Sequence, residues 1–449
     1  VFKPGDQDTA NHHQVLKGRL NAKRSDDQSS LGTHGVPRDS GKDSADRDPG
    51  MNALGYCQAS LQDGKDGAYA NWLRSHKPFH WFVEFHEIMK SGGFDVVIGN
   101  PPWKEYSAVK REYTVRGYAT ENCGNLYALC IERCLALRSG NGGLSFIVQL
   151  PLSSSSRMAD ARRLMRRSSL CLHVASFDDR PGKLFEGLQN CRSVVFVARA
   201  PGHKSHRGNE LATTGYIRWH SQARHGLFER LGYTVCADVP LCPDQFPRFS
   251  TESEPAVFQR LAARSANTVG SVLRGRHAEN FIFYQEATRY WAKATVGLPF
   301  YAKNGTVGAP AHGRYLRFES EGAAHGACAL LNSSLFYAYF VGYGDCFHVS
   351  DRLASGFPLP DHPASGDQLI EVNRRLMDDL RTQAERKTIE TKAGDTIAYD
   401  EFFCGKSKPL LDQLDCLLAQ HYGFTDEELD FIINYDLKYR MGREGGEEA

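Results

Sequence analysis

The chain has 449 residues, 41% hydrophobic and 24% charged, with a formal net charge of +1. That is material for two or three domains with a substantial core, and it excludes a chain that is polycationic as a whole. No apolar run approaches the roughly 18 residues of a membrane span. The polar opening lacks a secretory h-region, so the expected compartment is the cytoplasm, with no membrane partner.

Residues 1–66 are rich in Asp, Lys, Ser, Gly and His with almost no apolar periodicity, which predicts a linker or disordered arm. Order is expected from near Trp72. Phe94-Asp95-Val96-Val97-Ile98 is short, β-branched and apolar on both faces, the pattern of a buried parallel strand. It stops at Gly99-Asn100-Pro101-Pro102, where the prolines remove two ladder donors. A helix is predicted from Asn125, a good N-cap, with Leu126, Cys130, Cys134 and Leu137 at helical spacing. Ser139-Gly140-Asn141-Gly142-Gly143 reads as its glycine-rich stop. Leu144 to Val148 is a second strand, and strand, helix, strand implies a βαβ crossover. Further strands are predicted near Leu170 to Phe177 and Ser193 to Arg199.

Beyond residue 200 the alternation becomes irregular. Residues 270–360 mix Arg, His and Asn with aromatics such as Phe281, Phe283, Tyr284, Tyr290, Trp291, Phe336, Tyr337, Tyr339 and Phe340. For most of these the ordinary expectation is a second core. From Gly366 the chain turns helical, with Leu369, Val372, Leu376 and Leu380 in register, and Thr425 with Glu428 predicts a capping box. The working division is an arm (1–66), a catalytic α/β domain (67–200), a connector and recognition-like domain (201–365) and a helical tail (366–449).

Charge is unevenly spread. Residues 151–230 hold 14 Lys and Arg against 6 Asp and Glu, densest at Arg157, Arg162, Arg163, Arg166 and Arg167. Such a cluster can neutralise phosphates or form a solvated helix face. Arg162, Arg163 and Arg166 are candidates for contact with the phosphates of a nucleic acid if the first reading holds. The twelve cysteines are scattered without a Cys-x-x-Cys pair, which predicts reduced structural thiols and no metal site.

The chemistry sits in Asn100-Pro101-Pro102-Trp103. Open α/β sheets place their active sites at the carboxyl ends of strands. The exocyclic nitrogen of adenine is a poor nucleophile because its lone pair is delocalised into the ring. Accepting both N–H bonds shifts that nitrogen toward tetrahedral geometry and frees the pair. The Asn100 side-chain oxygen can accept one, and the Pro101 carbonyl, held between rigid residues, can accept the other. Trp103 offers a face for the base, worth about 1–3 kcal/mol in stacking. The plainer alternative is a strand-ending turn, which all three residue types favour.

The stretch from Phe94 to Trp103 resembles the catalytic motif of adenine-specific amino-methyltransferases of DNA, nearest to the large enzymes of type II restriction–modification and phage-defence systems. Phe79-His80-Trp81 with Glu84-Phe85 is similar to the family's lead-in. Asn125-Leu126-Tyr127 resembles the motif beside its cofactor pocket, and Gly142 to Val148 resembles its next core strand. Lys183-Leu184-Phe185-Glu186 resembles the segment whose aromatic meets the flipped base. Leu331-Asn332-Ser333-Ser334 resembles its recognition region, and Ile433-Asn434-Tyr435-Asp436 with Tyr439-Arg440 its ending. The likeness spans about residues 79–440.

The resemblance implies a partial Rossmann-like methyltransferase sheet, then a mixed α+β target-recognition domain and a helical tail. It implies S-adenosylmethionine as cofactor, double-stranded DNA as partner, and a base flipped from the stack. It makes Phe185 a base-contact candidate and places Asn125 and Tyr127 near the cofactor. Sequence choice would fall to residues 250–360, where Arg274, Arg276, Asn280 and Arg289 are candidates. The family's glycine-rich cofactor loop is expected upstream of the motif, where only the polar arm stands. Gly342-Tyr343-Gly344 lies in the wrong half, and Gly140 to Gly143 follows a helix. With Val at position 1, this predicts the carboxyl-terminal part of a methyltransferase that alone binds the cofactor weakly or not at all. Its partners would include a missing amino-terminal part or other defence-system subunits. The alternatives are a degenerate DNA-recognition module and a methyltransferase acting on RNA or on protein glutamine. No carboxylate–Lys cluster of a nuclease metal site stands out in the sequence.

Overall fold

Phe94–Gly99 forms β1, a strand as the apolar run predicts but at a sheet edge and not buried, with Val96 and Ile98 exposed. The protein is seen in a computed structural model that describes residues 79–440, except 113, 187–190, 201–209, 237–240, 289 and 361–365, together with 71, 74, 75 and 77. The arm expected over residues 1–66 lies outside the described residues. Two short helices, Trp81–Glu84 and His86–Lys90, lead into β1, and Trp81 and Phe85 pack edge-on against Phe94.

Helix α1 spans Leu126–Leu137, and the Asn125 side chain accepts from the Tyr127 amide as its N-cap. Leu126, Tyr127, Leu129, Ile131 and Leu137 turn inward. Burial pushes the Cys130 thiol up to about 12 and that of Cys134 to about 11, which suits protonated packing groups. Strand β2, Arg138–Gln149, starts with no intervening loop. The expected glycine stop is therefore part of a strand. Phe94 pairs with Arg138 but Val96 pairs with Gly143, so the glycines form a bulge in β2. A Cβ on Gly142 would lie 2.6 Å from the Phe94 carbonyl oxygen, which is why that bulge is glycine.

Helix α2 (Ala159–Arg167) leads to β3 (Cys171–Phe177), β4 (Ser193–Arg199), β5 (Glu210–Ile217) and β6 (Thr234–Val235). The strands form one six-stranded sheet in the order β1-β2-β4-β3-β5-β6. β1 and β2 are parallel, as the crossover requires, as are β3 and β5, and the other neighbours are antiparallel. The fold is thus α/β with a mixed sheet, and the boundary expected at residue 200 falls inside that sheet.

Helix α3 (Ser253–Ala263) precedes an antiparallel sheet of β7 (Asn280–Gln285), β8 (Thr295–Val296) and β11 (Gly313–Phe318). Between them lie β9 (Tyr301–Lys303) and β10 (Thr306–Val307). Helices α4 (Glu321–Asn332) and α5 (Ser334–Tyr343) follow, and every residue of α5 is buried. A helix apolar all round belongs at the centre of a core. Asn332 is buried with it, its amide bonded to both the N–H and the carbonyl of Ala294. Leu331-Asn332-Ser333-Ser334 and its aromatics are therefore packing elements.

Helix α6 (Gly366–Gln383) buries Leu369, Val372, Leu376 and Leu380, as predicted. The tail is not wholly helical, however. β12 (Glu385–Glu390) and β13 (Thr396–Glu401) form a hairpin that joins β9 and β10 in a separate four-stranded sheet. Helices α7 (Lys408–Tyr422) and α8 (Asp426–Asn434) follow, α8 behind the expected Thr425–Glu428 capping box, and a last short helix spans Leu437–Arg440. One hydrophobic cluster runs from Cys123 to Tyr435 across all these regions. No described helix is long and apolar enough to cross a membrane.

Candidate active site

The strand pairings decide which loops meet. Gly99 lies opposite Phe146 near the carboxyl end of β2, while Gln149 and Phe177 both lie opposite Ser193. The loop after β1, the turn after β2 and the β3–β4 connection therefore open at one end of the sheet. Asn100 stands there exposed, Pro101 is buried, and Pro102 and Trp103 are half-buried. The Trp103 indole N–H donates to the Ile147 carbonyl at 3.2 Å, which fixes the ring against β2. Phe185, on the β3–β4 connection, meets it edge-on at 5.3 Å between centroids and 80° between planes. The structure thus brings the Phe185 candidate to the motif.

Behind the motif, the chain is tied to the start of α1. Leu126 N–H donates to the Lys104 carbonyl at 2.9 Å and Tyr106 N–H to that of Gly124 at 2.8 Å. The Glu105 carboxylate accepts from Asn125 Nδ2 at 3.2 Å and from Arg157 Nη2 at 2.8 Å. Asn125 is therefore near the motif, with its amide committed to Glu105 and the helix cap. Tyr127 is fully buried, and burial pushes its phenol well above the ordinary range.

The arginine cluster needs correction. Arg162 is only 1% exposed. Its guanidinium donates to the carbonyls of Leu152 and Ser155, both at 2.8 Å, and of Asp244. Burial lowers its pKa to about 10. It is a brace inside the protein and cannot reach a phosphate. Arg163 is exposed but paired with Asp160 and Asp244, each at 2.6 Å. Arg166 is half-buried, donates to the Gln245 carbonyl at 3.2 Å and lies over Phe246.

In the recognition-like region, Arg274 is exposed and paired with Glu319 at 2.7 Å. Asn280 donates to the Glu319 carbonyl, and Arg276 is exposed on a turn. Arg289 lies outside the described residues. Exposed cations that the sequence reading did not single out follow the motif, at Lys104, Lys110, Arg111 and Arg116, and precede Phe185, at Arg180. Their signal was available as basic residues in a segment without apolar periodicity directly behind the motif.

Comparison with known proteins is decisive for one segment. Residues 50–181 match the Eco57I restriction-modification methylase family. Over those residues, less than half of the chain, the sequence is similar to that family. The matched methylase segment holds Asn100 to Trp103, α1, β2 and α2, and stops short of Phe185. A protein of Methanocaldococcus jannaschii, provisionally named a type II restriction enzyme and methyltransferase, is 28% identical over 126 residues. That alignment takes in 28% of this chain and 10% of the relative, so the chain spans about a tenth of the curated relative's length. The Type IIL restriction-modification enzyme MmeI in complex with DNA is similar over 80% of this chain and 58% of its own, at 9% identity and a TM-score of 0.46. The type IIG restriction endonuclease BpuSI is similar over 77% and 54%, at 11% identity and a TM-score of 0.30. The expected kinship with restriction–modification methyltransferases thus holds for the methylase segment.

Proposed function

We propose that this chain handles the target base in S-adenosylmethionine-dependent methylation of the adenine amino group in DNA. The observation that carries the reading is Asn100-Pro101-Pro102-Trp103 at the carboxyl end of β1 with Phe185 set edge-on to Trp103. The matching methylase segment supports it.

A base in the stack cannot bring its amino group to Asn100, so the nucleotide must be extruded, at a cost of a few kcal/mol. Trp103 then offers a face and Phe185 an edge, two sides of a right-angled slot. The bond to Ile147 keeps the indole from turning away. Within the slot, the Asn100 oxygen accepts one N–H of the amino group and the Pro101 carbonyl the other. The nitrogen lone pair is then released from the ring without a charged base. Exposed Lys104, Lys110, Arg111 and Arg116 follow the motif in the chain and Arg180 precedes Phe185, and they suit contact with phosphates.

S-adenosylmethionine supplies an electrophilic methyl group to such a nitrogen. No strand followed by a glycine-rich loop precedes β1 among the described residues. The outer edge of β1, beside Asn100, pairs with no strand among them, and Val96 and Ile98 lie 70% and 78% exposed there. The chemistry assigned to this chain is therefore confined to capturing the base and activating its amino group.

The test supplies tritiated S-adenosylmethionine and genomic DNA to the full-length protein and digests the product to nucleosides. Label is expected in N6-methyladenine, with Asn100→Ala losing nearly all of it while still binding DNA. Label in a methylated cytosine, in RNA or in protein, or full activity in Asn100→Ala, would refute the reading.

A further inference from the structure

The placement of Phe185 has a cause outside its own loop. β5 is parallel to β3, so the segment after β5 emerges beside the loop that carries Phe185. Two of its residues hold that loop. Gly182 lies flat on Trp219, where an added Cβ would come within 2.5 Å of the Trp219 carbonyl oxygen and 2.9 Å of its ring. Arg224, its guanidinium over the Trp219 ring, donates Nη1 to the Lys183 carbonyl at 3.1 Å and Nη2 to that of Leu184 at 2.9 Å. Leu184 packs into the small cluster of Ala175, Phe177, Trp219 and Leu227. The two carbonyls gripped are those just before Phe185, so the grip sets where its ring points.

We propose that Arg224, seated on Trp219, is a positioning residue that presents the Phe185 ring to Trp103. The proposal rests on reading these two rings as the base slot. Arg224 is exposed, and the carbonyls it holds would otherwise find water, so its effect is on orientation more than on stability. A fork with two donors fixes two successive carbonyls, whereas a lysine would hold one at a time.

Fluorine NMR of the full chain labelled with 5-fluorotryptophan tests this without requiring activity. The chain has five tryptophans, and Trp103→Phe identifies the Trp103 signal. Phe185→Ala sets the displacement that follows when the neighbouring ring is removed. Arg224→Ala is expected to move the Trp103 signal in the same direction by about half that displacement or more. The core Trp291 signal should stay in place, and Arg224→Lys should restore part of the shift. Gly182→Ala, which lifts the loop off Trp219 by a different route, should move the signal likewise. A Trp103 signal that moves in Phe185→Ala but not in Arg224→Ala or Gly182→Ala overturns the proposal. If the signals move as expected while DNA gains no methyladenine, the seat stands and the base-slot reading falls.

Discussion

Replacing Arg162 by Met separates two roles that the sequence left open. The substitution keeps much of the side chain's volume but removes every donor to the carbonyls of Leu152, Ser155 and Asp244. Hydrogen bonds to a charged group contribute about 1.5–3 kcal/mol each. The three share one guanidinium, whose desolvation is set against them once, so they do not simply add. A loss of about 3–4 kcal/mol is expected, a large part of the roughly 5–15 kcal/mol that holds a domain folded. Urea denaturation followed by circular dichroism measures it. A salt titration of DNA binding, run on the fraction still folded, supplies the contrast. Because Arg162 touches no phosphate, the slope of log affinity against log salt should match wild type. The reasoning fails if stability changes by less than about 0.5 kcal/mol while the slope falls by about 0.9, the mark of one lost phosphate contact.

Four further outcomes follow from the same geometry. Arg111→Gln and Arg180→Gln should each lower the salt slope of DNA binding by about 0.9, while Arg163→Gln, already paired with two carboxylates, should leave it unchanged; equal effects would sink that assignment. Trp103→Ala should weaken base capture by about 1–3 kcal/mol and spare donor affinity, so a pure donor defect in steady-state kinetics would count against the slot. Calorimetry of the chain alone with S-adenosylmethionine should show weak or no binding, and micromolar affinity would contradict that. Burial pushes the Glu254 carboxyl up to about 7 against three donors from Ser250 and Thr251. A raised folded pKa stabilises at low pH, and that contribution is lost as pH climbs through about 7. Between pH 5 and 8 the stability of Glu254→Gln relative to wild type should therefore improve, on the order of 2–3 kcal/mol, and a flat difference would contradict the burial argument.

What the sequence revealed was mostly local. β1 and β4 begin and end close to where alternation and turn residues place them, and α1 starts at the Asn125 cap, because those signals act over a few residues. The glycines after Leu137 misled for the same reason: a glycine cluster marks a helix stop or a bulge alike, and only the register against Phe94 decides. The hairpin of β12 and β13 was missed because its partner, β9, lies far back in the chain. Charge is legible, but its surroundings are not. Arg162 and Arg163 are neighbours in sequence, yet one is enclosed by carbonyls and the other stands in solvent. Phe185 came from resemblance, and its meeting with Trp103 depends on pairing of β2, β3 and β4. The Arg218 bonds to Asp178 and Asp436, which join the base of the Phe185 loop to the end of the described chain, had no sequence signal at all.

The central claim is that Asn100 and Pro101 hold the amino group of an extruded adenine. A cryo-electron microscopy reconstruction of the donor-competent protein on its DNA site would measure this directly. The predicted result is an adenine between Trp103 and Phe185, its amino nitrogen about 2.7–3.2 Å from both the Asn100 side-chain oxygen and the Pro101 carbonyl. A cytosine in that slot, or an adenine still stacked in the duplex of the donor-saturated complex, would contradict it.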